Sequence, residues 1–309
     1  MDSAPVLTAR GLVVERSGQV VVNGIDLDLH RGQTVALLGP NGAGKSSLLA
    51  ALAGLIPAKS GSVTASGRVA AAMQAPALAR RTVSANVELG LAWWGVPRGE
   101  RRGRAATALE QLGVGGLGPR DAASLSGGER RRVHLARMLA VGADVRLLDE
   151  PFAGLDTSAR GDLIFDATSV LRSADAATLI VLHDRGEAWA LADRLLVMLD
   201  GELAADGRPA EILEQPSSSR LARFLGFTGE LHEGESTRML RSAQVRLDPG
   251  GDLDATVARR VPTEDGVLLD LELANGRLSA AAPLPGPAQG ERVRIRVEAG
   301  VVFPRDESR

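Results

Sequence analysis

The sequence predicts an α/β domain with a mixed sheet, an antiparallel β element at its start and a helical subdomain, followed by a small all-β barrel. Three observations carry this expectation. Apolar runs at Thr34-Val35-Ala36-Leu37-Leu38, Val145-Arg146-Leu147-Leu148 and Thr178-Leu179-Ile180-Val181-Leu182 read as strands buried on both faces, with helical spacing between them. The first run leads directly into Gly39, Pro40, Asn41, Gly42, Ala43, Gly44, Lys45 and Ser46, and a helix at Ser47-Leu48-Leu49-Ala50-Ala51-Leu52-Ala53 follows, so strand, glycine loop and helix succeed one another. From Ala243 onward only short strand-like runs and turn signals remain.

Taken in order, residues 7–14, 20–22 and 25–29 read as short strands, with turns at Ser17-Gly18 and Asn23-Gly24. Lys59-Ser60-Gly61 is a turn before strands at 62–64 and 67–72, the second ending at Met73-Gln74-Ala75-Pro76 because proline breaks it. Residues 82–91 and 100–112 have helical spacing, and Arg101, Arg102 and Arg104 on the second read as a solvated face. Between them, Trp93-Trp94 is either core or an exposed docking patch. Ser126 is placed to cap a helix over 130–139, and Asp156 to cap one running to 171. Residues 194–199 and 202–205 form a hairpin about Asp200-Gly201, and 209–213 a short helix. The glycine- and acid-rich stretch 226–234 reads as a linker. Strands are expected at 244–247, 253–260, 267–273, 277–281, 292–297 and 301–303, with Arg292, Arg294 and Arg296 on a wet face.

Length and composition narrow the function. At 309 residues two domains are expected, and 44% hydrophobic residues suffice for their cores. No apolar run reaches the ~18 residues needed to cross a bilayer, and Met1-Asp2-Ser3-Ala4-Pro5 has neither the basic start nor the apolar stretch of a secretory signal. The absence of cysteine excludes disulfides and thiolate metal sites. A net charge of −2 gives no electrostatic case for nucleic-acid binding. The four histidines, His30, His134, His183 and His232, are too scattered for a metal cluster.

The chemistry concentrates in the first domain. Successive N–H groups of the glycine loop form a nest for an anion, reinforced by the helix N-terminus. Lys45 supplies a point charge to the β- and γ-phosphates, and the Ser46 hydroxyl is a Mg²⁺ ligand. Asp149-Glu150 ends a strand with two carboxylates, one to hold Mg²⁺ and one to act as a base toward water. Leu125-Ser126-Gly127-Gly128-Glu129 opens a helix whose N-terminus offers a second phosphate contact, against the plain alternative of a capped helix. His183 follows a buried strand at the end where ligands gather.

Residues 7–225 resemble the ATP-binding subunit of an ABC transporter, a P-loop NTPase of ABC type, because five motifs follow the family's order after the phosphate loop is found. Gln74 matches the Q-loop glutamine, Ser126, Gly127, Gly128 and Glu129 the LSGGQ signature with Glu129 for glutamine, Leu147-Leu148-Asp149-Glu150 the Walker B strand, Ala153-Gly154-Leu155-Asp156 the D-loop, and His183 the switch histidine. The resemblance implies an ATP-binding domain over 1–228 with a helical subdomain at about 75–140, and it implies ATP and Mg²⁺ as cofactors. Gly39 through Ser47, Arg16, Ser126 to Glu129 and Asp156 would bind nucleotide; Glu150, His183 and Gln74 would be catalytic; Ser46, Gln74 and Asp149 would hold the metal. Arg16 stands where the family usually stacks an aromatic on adenine, and the chain has no tyrosine. Residues 235–309 resemble the TOBE-type barrel of several importers of molybdate, sulfate, iron, sugars or polyamines.

The resemblance implies peripheral attachment at the cytoplasmic face of the membrane, transmembrane permease subunits as partners, and a second copy or homologous ATPase closing head to tail around ATP. It also implies indirect coupling to an extracytoplasmic solute-binding protein, and no nucleic acid. The alternatives are an exporter ATPase or a soluble, non-transport ATPase of ABC type. The short span from Lys45 to Leu125 and the single phosphate loop disfavour the latter.

Overall fold

The computed structural model describes residues 4–74, 77–173 and 176–305. Pro76 and residues 1–3, on which two expectations rest, lie outside them. The chain divides into two compact units, Met1–Pro209 and Ala210–Arg309.

The first unit opens with β1 (Leu7–Arg16) and β2 (Gln19–Leu29), joined at Ser17 and Gly18, which both have positive φ. β2 is one strand, not two. The pairing shifts register between Leu12 and Val14, so the chain passes Asn23-Gly24 by a bulge without turning. β3 (Thr34–Leu38) is wholly buried, then α1 (Lys45–Leu52) and β4 (Ser60–Ala65) follow. β4 joins β1 and β2 in a three-stranded antiparallel sheet.

The second sheet adds β5 (Val69–Ala72). Three helices then form the helical subdomain: α2 (Val83–Trp93), α3 (Arg98–Gln111) and α4 (Gly127–Ala140), which pack on one another. β6 (Val145–Asp149), α5 (Thr157–Ser173), β7 (Ala177–Val181), α6 (Arg185–Leu191), β8 (Arg194–Leu199) and β9 (Glu202–Gly207) complete the unit. The sheet order is β5-β6-β7-β3-β8-β9, parallel throughout except for the β8–β9 hairpin. The five-residue apolar runs of β3, β6 and β7 are buried at every position, as central parallel strands require.

Asn86 organises the entry to α2. Fully buried, it accepts from Ala79 N at 2.7 Å and donates to the carbonyls of Ala79 and Thr82 at 3.0 and 3.1 Å. Arg104 differs from the solvated face expected of α3: its guanidinium caps the C-terminal end of α4 through Ala140 O and Val141 O at 2.8 and 2.9 Å. Trp93 is 75% exposed, whereas Trp94 is half-buried with Arg68 5.9 Å above its ring centre.

The second unit contains α7 (Pro209–Glu214), which begins at the boundary, and α8 (Ser219–Phe224). The strands are β10 (Gly229–Glu233), β11 (Ser236–Leu240), β12 (Val245–Leu247), β13 (Leu253–Thr263), β14 (Gly266–Leu273), β15 (Gly276–Ala282), β16 (Arg292–Val297) and β17 (Val301–Pro304). They form one antiparallel sheet ordered β12-β16-β13-β14-β15-β10-β11-β17, curled so that β12 also lies beside β15. The barrel is thus open: its end strands β12 and β17 are not paired to each other among the described residues. The stretch read as a linker is β10, anchored by buried Leu231. α8 contributes buried Leu221 and Ala222, and buried Phe227 lies under Arg241 at 4.2 Å, so this segment clusters with the strands. Arg292, Arg294 and Arg296 are exposed and alternate with Val293, Ile295 and Val297.

Candidate functional site

Because β6, β7 and β3 are adjacent and parallel, their C-terminal ends bring together three loops far apart in sequence. After β3 comes the glycine loop. Gly44 has φ +100, and a Cβ there would fall 2.0 Å from Val21 O, so only glycine allows the turn into α1. No side chain caps α1, which leaves its first-turn N–H groups, including those of Lys45, Ser46 and Ser47, to an anion. Gly39 sits against the backbone of Met198, Ala43 is buried, and Asn41 and Gly42 are exposed at the rim.

Lys45 is only 6% exposed. Its Nζ donates to Gly39 O at 2.8 Å and Pro40 O at 2.9 Å. Burial lowers its pKa, and the nearby carboxylates Glu150 and Asp149 oppose that shift. Asp149, at the end of β6, is 3% exposed; burial raises its pKa and a hydrogen bond from Ser46 opposes the rise. Its Oδ1 is buried without a hydrogen-bond partner. An unpartnered carboxylate oxygen beside a serine hydroxyl is a hard, oxygen-rich set that suits a small divalent cation.

Glu150 follows with φ +50, an uncommon conformation for a residue with a side chain. Its carboxylate receives Gln74 Nε2 at 2.9 Å on one oxygen and lies 2.5 Å from His183 Nε2 on the other. The structure therefore gathers Lys45, Ser46, Gln74, Asp149, Glu150 and His183 at one edge of the sheet.

The remaining candidates lie elsewhere. Ser126 caps α4 by accepting from Glu129 N at 3.3 Å, while Glu129 Oε2 accepts from Ser126 N at 2.8 Å. These mutual bonds lower the Glu129 pKa and occupy both side chains within the cap. Gly127 is exposed and Gly128 packs near Leu155. Asp156 caps α5 by accepting from Ala159 N at 2.9 Å. Arg16 is exposed at the end of β1.

Sequence reasoning missed Arg131. It lies one turn inside α4 within the run Arg130-Arg131-Arg132, and its guanidinium reaches Gln74 O at 2.9 Å, Glu150 O at 3.4 Å and Ala153 O at 2.7 Å. Only its position on the signature helix could have drawn attention to it.

Residues 22–153 match the family described as ABC transporter. An Fe(3+) ions import ATP-binding protein, FbpC, of Streptomyces avermitilis is 38% identical over 328 residues, covering 94% of this chain and 95% of its own. A sulfate/thiosulfate import ATP-binding protein, CysA, of Thermosynechococcus vestitus is 40% identical over 66% of this chain and 65% of its own. Among solved structures, cbiO1 of Clostridium perfringens, part of the ABC transporter complex cbiONQ, superposes with a TM-score of 0.62 at 26% identity over 68% of this chain and 91% of that one. With the strand-end cluster and this full-length similarity, the chain belongs to the ABC transporter family, as an ATP-binding subunit whose ATP hydrolysis powers a membrane transporter.

Proposed function

We propose that this subunit drives solute import, with Glu150 as the general base toward water at the γ-phosphate of ATP. The observation that carries the reading is the convergence of Lys45, the Ser46–Asp149 pair and the Gln74–Glu150–His183 chain at the phosphate loop. Lys45 would exchange its two loop carbonyls for phosphate oxygens. Ser46, Asp149 and Gln74 would hold Mg²⁺, which neutralises phosphate charge when bound. His183 keeps the Glu150 carboxylate aligned and reaches the γ-phosphate, while Gln74 orients the same carboxylate from the other side. Among the described residues no group of three or more His, Cys, Asp or Glu side chains could hold a metal alone, so nucleotide oxygens complete the shell.

No helix of the described residues is long and apolar enough to cross a membrane. Similarity to import ATP-binding subunits supports permease partners and a place on the cytoplasmic face. Exposed Trp93 at the end of α2 supplies apolar surface for such a contact. Ser126, Gly127 and Gly128 act in trans, on ATP held by a second copy or a homologous ATPase. Similarity to iron and sulfate import subunits favours an inorganic-ion cargo delivered by a solute-binding protein, and the curled β-sheet unit is a TOBE-like domain. Glu150→Gln should slow Mg-ATP hydrolysis at least ~10²-fold, the usual contribution of a general base, while ATP still binds. Turnover near the wild-type rate would reject Glu150 as the base.

A further inference from the structure

The backbone around Glu150 presents a problem of support. A residue with a side chain at φ +50 keeps that conformation only when its surroundings over-determine it. Glu150 N donates to Val181 O at 3.2 Å, and Glu150 O accepts from Ala153 N at 3.2 Å. Arg131 Nη1 adds a donor to the same Glu150 oxygen at 3.4 Å. That nitrogen also bonds Gln74 O at 2.9 Å, and Nη2 takes Ala153 O at 2.7 Å. One planar guanidinium thus ties together the backbones of Gln74, of Glu150 and of the turn before Asp156. Those are the residues whose side chains meet at the reacting centre, or sit one turn from it.

Arg131 is not alone on its face of α4. His134 and Arg137 follow at helical spacing. Arg137 Nη1 donates to Ala77 O at 2.8 Å, and its Nη2 bonds His134 Nδ1 at 3.0 Å. Arg131 and Arg137 therefore hold the chain on both sides of residues 75 and 76, from a helix whose first turn is the Ser126 cap.

We propose that Arg131 is a positioning residue for hydrolysis: through their backbone carbonyls it holds Glu150 and Gln74 in the arrangement that aims the carboxylate at water, and it makes that arrangement depend on where α4 stands. The proposal rests on Glu150 being the base. The hydrogen bonds of Arg131 to Gln74, Glu150 and Ala153 all go to backbone carbonyls, so it acts through the residues it holds. A movement of Ser126 and Gly128 toward a partner's ATP would carry Arg131 with the helix and so reset Glu150. A lysine would substitute only in part, because a single ammonium cannot hold three carbonyls in a fixed plane.

The test is steady-state Mg-ATP hydrolysis by the full chain carrying Arg131→Ala or Arg131→Lys, each alone and with Glu150→Gln. Misplacement of a catalytic group predicts a fall in kcat of about ten-fold for Arg131→Ala, with KM and ATP affinity unchanged within about two-fold. Arg131→Lys should lie between the wild type and Arg131→Ala. In the Glu150→Gln background Arg131→Ala should cost nothing more, because the group it positions is already gone. Equal losses in both backgrounds, or parallel changes in KM and kcat, would overturn the proposal. Hydrogen exchange on the same proteins is the second readout. Arg131→Ala should speed exchange in peptides spanning Gln74 and 149–156 while leaving β3 and β7 protected; unchanged exchange there would also overturn it. Full turnover by Glu150→Gln alone would instead indict the base assignment, and the exchange result would then decide on Arg131 independently.

Discussion

At His134, on the inner face of α4, burial and the adjacent Arg137 guanidinium lower the imidazole pKa to about 4. The neutral ring accepts from Arg137, so protonation would place two cations in contact inside the subdomain. Since the folded pKa lies below the unfolded one, the contribution is complete above about pH 6.5 and is lost as pH falls toward about 4. This single group should cost about 2 kcal/mol of stability between about pH 7 and about pH 5. Urea unfolding at the two pH values measures it: His134→Gln, which keeps an acceptor for Arg137 but cannot titrate, should lose less than the wild type. An equal loss would show that His134 charges freely in the native state. Neither His134 nor Arg131 was legible in the sequence as anything but part of a helix. The bonds from Arg131 to Gln74 and Glu150, and the Arg137 guanidinium that holds both His134 and Ala77 O, are made by the fold between segments distant in sequence. Lys45, Ser46, Asp149 and Glu150 were legible because a phosphate loop and a strand ending in carboxylates are written in consecutive residues.

At the scale of elements, the same contrast separates β3, β6 and β7 from α6, α8 and β10. The buried strands show as unbroken apolar runs, whereas α6 and α8 span only seven and six residues, too short for a helical period to emerge. β10 offers Leu231 alone as a buried large side chain, and its Gly229 and Glu233 mimic a linker. The entry to α2 depends on one buried polar group in place of an apolar face. Asn86→Ala would leave Ala79 N without its acceptor, while the carbonyls of Ala79 and Thr82 would keep the backbone donors Arg81 N and residue 86 N. We expect a loss of about 2 kcal/mol, the cost of one unsatisfied buried donor together with the lost hydrogen bonds of the carboxamide, seen as a lower urea midpoint with little change in slope. A loss under about 0.5 kcal/mol, the range of ordinary surface changes, would mean that water takes the place of the carboxamide.

For the whole molecule, the two cores belong to separate units, and the first holds every residue of the strand-end cluster. Ser126 and Gly127 are exposed at the start of α4 and make no hydrogen bond to that cluster among the described residues. This is the arrangement expected if the signature completes a site on another copy. Light scattering of purified Glu150→Gln should therefore report a monomer without nucleotide and a dimer with Mg-ATP, and Gly128→Asp should keep it monomeric while ATP still binds. A dimer formed equally by both proteins would place the signature outside the contact.

The backbone at Glu150 also sets selection for stability against selection for turnover. A positive φ disfavours glutamate and suits asparagine or glycine, so a variant library ranked only by resistance to heat or denaturant would drift toward those two residues at position 150. With Glu150 as the proposed general base, the best performers of that library would be folded, nucleotide-loaded and idle, and the glutamate at this position trades stability for chemistry.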